Sequence, residues 1–357
     1  MNYYKEKIKL VIVGSENNTF IDKTPWAEYE FLEYTMYDPR KTYKKDTTFI
    51  VNDFSLEHDE KHIVKFLLDA GYNVIVDAVW EGHCTFGIEY KERYPSQVHL
   101  MYGGTKNYYS KDDQVISNFF WIHEHLFNKR RKLDLYEPKL QTTIKKYNFL
   151  MPMRTKKLHR TMILEALDEH LPQALYSYCD NGIFLPDPAN ETNKLGFDRN
   201  FNPDWYDDSY FSVVTETSAS VTKDELPASS RFKKYKGMES CHLEDGSIMI
   251  TEKTFKPIAF EHPFIIFGHA HTLQRLRNLG FETFPHIFNE RYDEQESITK
   301  RLADIKECIE EFNTGHYMNP LTKEILEHNR AHFYDTALLE KMINEEIVEP
   351  LREFVNG

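Results

Sequence analysis

The sequence predicts an α/β fold of two domains facing a cleft. Three observations carry that prediction. At 357 residues the chain holds two domains at the usual size of roughly 150 residues each. Short, nearly continuous apolar runs alternate with segments of helical periodicity, as in parallel sheets covered on both faces. The alternation starts afresh near residue 147, just past a strongly basic stretch.

The first domain is expected over residues 1–142. Lys9–Gly14 (KLVIVG) and Thr48–Asp53 (TFIVND) read as buried strands. His58–Ala70 places Ile63, Phe66, Leu67 and Ala70 at the spacing of one helical face, and Gly71 follows as a stop. Asn73–Trp80 and Val98–Tyr102 are two further strands. Ligands of such sheets sit beyond the carboxyl ends of the strands, where Ser15, Glu16, Asp53, Asp77 and Glu81 fall.

The second domain is expected over 143–320. Tyr147–Met153 reads as a strand, with Pro152 confining it to an edge or a strand end. A helix His159–Glu169, a strand Leu175–Tyr178, a loop over 181–209 and a strand Tyr210–Thr215 follow, then an irregular excursion Val221–Asp245. Ser247–Phe284 reads strand, helix, strand, helix, strand, with strands at Ile248–Thr251 and Pro263–Phe267. Asp293–Phe312 is a charged amphipathic helix. Residues 321–357 form a helical segment, including Leu338–Val355, that packs back across the domains.

Hydrophobic residues make up 41% of the chain and charged residues 28%, which excludes wholesale disorder. Cys84, Cys179, Cys241 and Cys308 lack paired spacing, so neither a zinc ribbon nor a secreted disulfide framework is expected. No apolar run approaches the roughly 20 residues of a membrane helix, and a soluble cytoplasmic protein with no membrane partner is expected. The net charge is −13, yet eleven Lys and Arg stand against two acids between Lys129 and Arg160. Such a run is either a solvated face or the place of an anionic partner.

The residues that can carry chemistry cluster in the second domain. Thr251 reads as an N-cap, with Glu252 and Lys253 at a strand-to-helix junction where backbone N–H groups favour anions and hydroxyl-rich ligands. Glu252 can accept from a ribose diol, and Lys253 and Lys256 can neutralise a diphosphate. Gly268-His269-Ala-His271-Thr272 opens the next helix and offers a further polar contact through His269. Arg154 and Arg160 follow the first strand of the domain, and a guanidinium there suits a leaving diphosphate. Glu216 and Ser218 close another strand. Each of these also has a bland alternative as a capped turn or a solvated side chain. His123, His125, His269 and His271 admit a metal-hydrolase alternative, but no third ligand stands near the His269/His271 pair and no metal is expected. Asp207-Asp208 reads as a turn device rather than a metal-binding pair.

The segments FSVVTETS (211–218) and ITEKTFKPIAFEHPFIIFG (250–268) resemble the donor-binding half of alpha-1,3-fucosyltransferases and related GT-B glycosyltransferases. They also resemble glycosyltransferase-like proteins of large phages and other viruses. The resemblance covers roughly residues 147–310. It implies two Rossmann-like domains facing a cleft and an inverting, metal-independent transfer from a nucleotide sugar (UDP- or GDP-linked), with no further cofactor. It also implies Glu252 on the ribose, Lys253 on a phosphate, Arg160 on the diphosphate, and Glu216 and Ser218 near the donor. Thr217 stands where the family has Asn, and the excursion 221–245, longer than the family's spacer, reads as a lid. The base comes from the first domain, with Asp53, Asp77 and Glu81 all open. A hydroxymethylated base in phage DNA, in the host cytoplasm, is one acceptor; a glycan or small molecule is the other. A non-catalytic nucleic-acid-binding or scaffold protein on a degenerate transferase fold is the competing expectation.

Overall fold

The computed structural model describes residues 8–13, 27–32, 47–52, 61–78, 85–103, 114–138, 144–185, 202, 204–220, 225, 248–315 and 317–356. The chain forms two compact units. One comprises residues 1–119 with 337–357, the other residues 120–336. The division thus falls at 119/120 rather than 142/143, and the carboxyl-terminal helices are shared between the units.

In the first unit, β1 (Ile8–Val13), β2 (Ala27–Leu32), β3 (Thr48–Asn52), β4 (Asn73–Ala78), β5 (Val98–Gly103) and β6 (Gln114–Ile116) form one sheet in the order β2-β1-β3-β4-β5-β6. All pairings are parallel. Helices α1 (Lys61–Asp69) and α2 (Thr85–Arg93) make the β3–β4 and β4–β5 crossovers. The buried face of α1 is Val64, Leu67 and Leu68, whereas Phe66 is 39% exposed and Ala70 is exposed. The helical period read from sequence is right, but the stripe is rotated onto Val64, which packs with Phe49, Val74 and Val98. Gly71 stops the helix with φ +87°. Leu68 O accepts from Gly71 N (3.0 Å), and Gln97 Nε2 adds a second bond to it (3.0 Å) and one to Tyr72 O (3.2 Å).

Two carboxyl-terminal elements belong to this unit: most of α9 (Thr336–Ile343) and α10 (Glu349–Asn356), joined by a π-helical stretch Asn344–Val348. Their attachment is polar and aromatic. Glu346 accepts from Asn118 N (2.9 Å) and Asn118 Nδ2 (2.6 Å), and Phe354 stacks on His99 at 4.8 Å.

In the second unit, β7 (Tyr147–Met153), β8 (Ala174–Tyr178), β9 (Ser209–Thr215) and β10 (Phe264–Phe267) form a parallel sheet in the order β10-β9-β7-β8. Every residue of β9 and β10 is buried, as expected of strands covered on both sides. Pro152 lies in a central strand, but beyond the residues of β7 that pair with β9. The missing N–H therefore costs no bond on that side. Besides a one-turn helix at Asp204–Asp207, the helices are α3 (Phe119–Arg131), α4 (Leu158–Ala166), α5 (Glu252–Ala259), α6 (Thr272–Asn278), α7 (Ile298–Glu310) and α8 (Pro320–Phe333). The indole of Trp121 on α3 donates to Phe333 O at the end of α8 (3.1 Å).

Two strands expected from sequence do not form. Ile248–Thr251 is irregular, and Thr251 N donates to a side chain, Glu216 Oε1 (3.0 Å). Residues 281–284 are also irregular, because Asn329 Oδ1 takes Glu282 N (2.7 Å) and Glu290 Oε1 takes Phe284 N (2.7 Å). In both places side-chain acceptors replace a neighbouring strand.

Both units share one winding. The first strand pairs with the second on one side and the third on the other, giving the order 2-1-3-4 in each. The chain therefore reverses direction across the sheet between β1 and β3, and again between β7 and β9. Ligands of doubly wound sheets bind at the carboxyl ends of the strands at such a reversal.

Candidate functional site

The carboxyl ends of β7, β9 and β10 gather most of the residues expected from sequence. Beyond β7, the chain turns through Arg154 and enters α4. Lys157 donates from Nζ to Thr217 O (2.7 Å), and His159 Nε2 lies 2.9 Å from Glu216 O. Arg160, 3% exposed, donates to Thr155 O (3.1 Å), Glu216 O (3.2 Å) and Thr215 O (3.4 Å). Its guanidinium thus ties the β7–α4 turn to the end of β9. Arg154 is exposed, and its carbonyl accepts from Asp180 N (3.1 Å).

Beyond β9, Glu216 is completely buried. Its Oε1 accepts from Thr251 N (3.0 Å) and Thr254 Oγ1 (2.6 Å), and its Oε2 from Thr251 Oγ1 (2.5 Å) and Thr217 N (3.1 Å). Ser218 Oγ lies 2.9 Å from His269 Nε2, which follows β10. The close packing at Gly268 lets these two strand ends meet.

Thr251 is the N-cap of α5, as its residue type and position predict. Glu252 and Lys253 occupy the first turn, and Lys253 Nζ lies 2.6 Å from Glu252 Oε1, 3.0 Å from Thr217 Oγ1 and 3.4 Å from Thr251 Oγ1. The pair is sheltered but reachable, with side chains 26% exposed for Lys253 and 12% for Glu252. Burial alone would push the Glu252 carboxyl up. The charges of Lys253 and Lys256 and the hydrogen bond from Lys253 outweigh it and hold Glu252 at about 2. Glu252 is therefore ionised at any physiological pH and can accept from hydroxyl groups, while Lys253 offers a positive charge beside it.

The second expected anion position is already filled. The backbone N–H groups opening α6 donate to the carboxylate of Asp293, Leu273 N to Oδ1 (2.8 Å) and Gln274 N to Oδ2 (3.1 Å). His271 adopts the left-handed conformation (φ +64°) and faces Glu296 Oε1 at 3.2 Å, so its ring is not paired with that of His269. Of the other two histidines weighed as metal ligands, His125 Nδ1 bonds Phe333 O (2.9 Å) and His123 stacks near Phe127. Among the described residues, no three His, Cys, Asp or Glu side chains converge as a ligand set.

Arg301 is the residue that sequence inspection missed. It is 1% exposed and donates to Gly268 O (2.7 Å), Ser220 Oγ (3.1 Å), and Gln295 O from both Nη2 (2.6 Å) and Nε (3.1 Å). It thereby clamps the loops that follow β9 and β10, and burial lowers its guanidinium to about 10. The signal was present: Arg301 interrupts the buried stripe Ile298, Leu302, Ile305, Cys308 and Ile309 of α7. Glu225, within the excursion, accepts from Ile298 N (3.0 Å) and Thr299 N (3.1 Å) at the start of the same helix.

The basic run is not one surface. The buried strand β7 divides it, leaving Lys145 and Lys146 at the amino end and Arg154, Lys156, Lys157 and Arg160 at the carboxyl end. Seven strand residues separate the two groups by about 20 Å. Lys145 Nζ is engaged with Asp207 O (2.7 Å), and Lys129 Nζ with Asp134 (2.8 Å).

In the first unit, Asp77 lies one residue before the end of β4, between Asn52 and Met101 in register, and is 1% exposed. Asp53 and Glu81, with Ser15, Glu16 and all of 221–245 but Glu225, lie outside the described residues. No helix among the described residues is long and apolar enough to cross a membrane. Compared with protein-family models, with curated proteins and with solved structures, the chain finds no match in any of the three.

Proposed function

We propose that the chain is an inverting glycosyltransferase that takes a sugar from a nucleoside-diphosphate donor, with the 120–336 unit as its donor-binding half. One observation carries the reading. The Glu252–Lys253 ion pair stands at the first turn of α5, joined through Thr217 to the strand end beside the β7/β9 reversal. A carboxylate ionised at physiological pH beside an ammonium matches a ribose diol next to a diphosphate, and a strand reversal is where mononucleotides bind in such sheets.

In this reading Glu252 accepts from the ribose hydroxyls. Lys253 and Lys256 neutralise the phosphates, and His269 with Ser218 contacts the phosphate or the sugar. As the bond from the anomeric carbon to phosphate oxygen breaks, the electron pair passes to the diphosphate, and fixed cations stabilise the charge that accumulates there. Arg160 and Lys157 contribute field from behind, through the carbonyls they hold. The acceptor hydroxyl loses its proton to a carboxylate of the first unit, for which Asp53, Asp77 and Glu81 stand as candidates. The two units then take the roles of the two halves of a GT-B enzyme working in the cytoplasm, on a hydroxymethylated DNA base, a glycan or a small molecule.

Calorimetric titration with UDP, GDP, ADP and CDP tests the reading. At least one should bind, and Glu252→Ala and Lys253→Ala should each weaken it tenfold or more. Absence of binding to the whole panel, or full binding by both variants, overturns it. Donor hydrolysis without acceptor then separates an enzyme from a scaffold that keeps the fold.

A further inference from the structure

We infer that Glu216 is the positioning residue of this site: its buried carboxylate fixes the first turn of α5, and through it Lys253. The inference rests on the donor-site reading for its functional meaning, but its geometry stands apart from any ligand. A carboxylate has about four lone-pair sites, and Glu216 has four protein donors. No acceptor capacity is left for a sugar or nucleotide, so a direct ligand contact is not what this side chain is built for. All four donors are neutral groups, two backbone N–H groups and two threonine hydroxyls.

The donors identify what is being held. In a capping box, a Glu or Gln at N3 reaches back to the N-cap backbone N–H. In α5 the N3 residue is Thr254, and the carboxylate that takes the N-cap N–H comes from the end of β9 instead. Thr254 Oγ1 bonds the same oxygen (2.6 Å), so N-cap and N3 are clamped together from outside the helix.

The clamp also sets the direction of the Thr251 hydroxyl. Its proton is committed to Glu216 Oε2, which turns its lone pairs toward Lys253 N (3.5 Å) and Lys253 Nζ (3.4 Å). On the other side, Thr217 N is held by Glu216 while Thr217 Oγ1 accepts from Lys253 Nζ (3.0 Å) and Thr217 O accepts from Lys157 Nζ (2.7 Å). Two ammonium groups are thus aimed by groups that one buried carboxylate holds.

A double-mutant cycle on nucleotide affinity, with hydrogen exchange as a ligand-free readout, tests the inference. Glu216→Gln keeps the shape but replaces an acceptor with an N–H₂ donor facing hydroxyls and amides. It should weaken binding of the nucleoside diphosphate selected above by about tenfold. Lys253→Ala made in the Glu216→Gln background should cost much less than in the wild type, because both changes remove the same aimed charge. Glu216→Asp should restore part of the loss. Additive losses, or wild-type affinity in Glu216→Gln, overturn the role. If the wild type binds no nucleotide, the donor reading falls, and amide exchange decides on Glu216 by itself. Exchange at Thr217 and Thr251 should quicken in Glu216→Gln while that of Ile265 and Ile266 in β10 stays unchanged, and equal exchange at the first two overturns the inference. Should Glu216→Gln not fold, Thr254→Val, which removes a single donor, carries both measurements with the same sign and smaller size.

Discussion

Gly268 lies so close to Glu216 that a β-carbon at position 268 would stand 3.1 Å from Glu216 Cβ and 3.3 Å from Cγ. Such contacts are relieved when the neighbour can shift by a few tenths of an ångström. Glu216 is pinned by four hydrogen bonds, and Gly268 itself by Arg301 on its carbonyl. Neither partner is free to yield. Gly268→Ala should therefore destabilise the 120–336 unit by about 1–3 kcal/mol, despite the roughly 0.4–1 kcal/mol that a smaller unfolded ensemble returns. Urea titration should show a lower midpoint with an unchanged slope. A midpoint equal to or above the wild type would contradict the close packing.

Glu252 gives the site an acid limit. Its folded-state carboxyl, at about 2, lies below the ordinary value of 4.5. A depressed carboxylate stabilises the fold fully above its unfolded value, and that contribution fades as the pH falls through 4.5 toward 2. Acid unfolding of Glu252→Gln should show a shallower loss of stability in that window than the wild type. Parallel curves would mean that the Lys253 ion pair contributes nothing to folding.

His262 acts in the same direction over a higher window. The ring is buried between Ser212 Oγ, 2.8 Å from Nδ1, and Ser209 O, 2.8 Å from Nε2. Burial drives it to about 3 from the usual 6.5. The folded state therefore binds fewer protons than the unfolded chain between those values. The stability this neutral ring permits is complete above pH 6.5 and declines as the pH falls toward 3. Between pH 7 and 5 the urea midpoint should drop, and His262→Gln, less stable at pH 7, should drop less. An equal decline in both proteins would assign the dependence to other groups, such as the buried His99 and His159.

Sequence inspection reached the central strands and the first turn of α5, because apolar runs and a Thr N-cap are local signals. The strand Ala27–Leu32 escaped it, since AEYEFL alternates charge with apolar residues as an edge strand does, and Gln114–Ile116 is only three residues long. The false strands at 248–251 and 281–284 have strand-like composition, but their backbone partners are Glu216, Asn329 and Glu290, distant in the chain. The same blindness to long-range partners hid the four donors gathered on Glu216 and left Arg301 and the capping role of Asp293 unnoticed. What a single segment cannot contain is the knowledge of which orphaned N–H a remote side chain will take.

Asp293 puts that point to the test. It lies twenty residues beyond the helix amide it caps at Leu273, is 3% exposed, and supplies both oxygens to the amino end of α6. It also gives its own carbonyl to His271 N (2.6 Å), which holds the left-handed turn entering that helix. Asp293→Ala leaves two sheltered N–H groups without acceptors, at a cost of about 1–3 kcal/mol. Asp293→Asn, with one acceptor oxygen remaining, should cost less than Asp293→Ala. Both variants should keep the carbonyl that orders His271, so the loss should appear as faster amide exchange at Leu273 and Gln274 with His271 protected. Exchange that quickens at His271 first would mean that the turn, and not the cap, depends on the carboxylate.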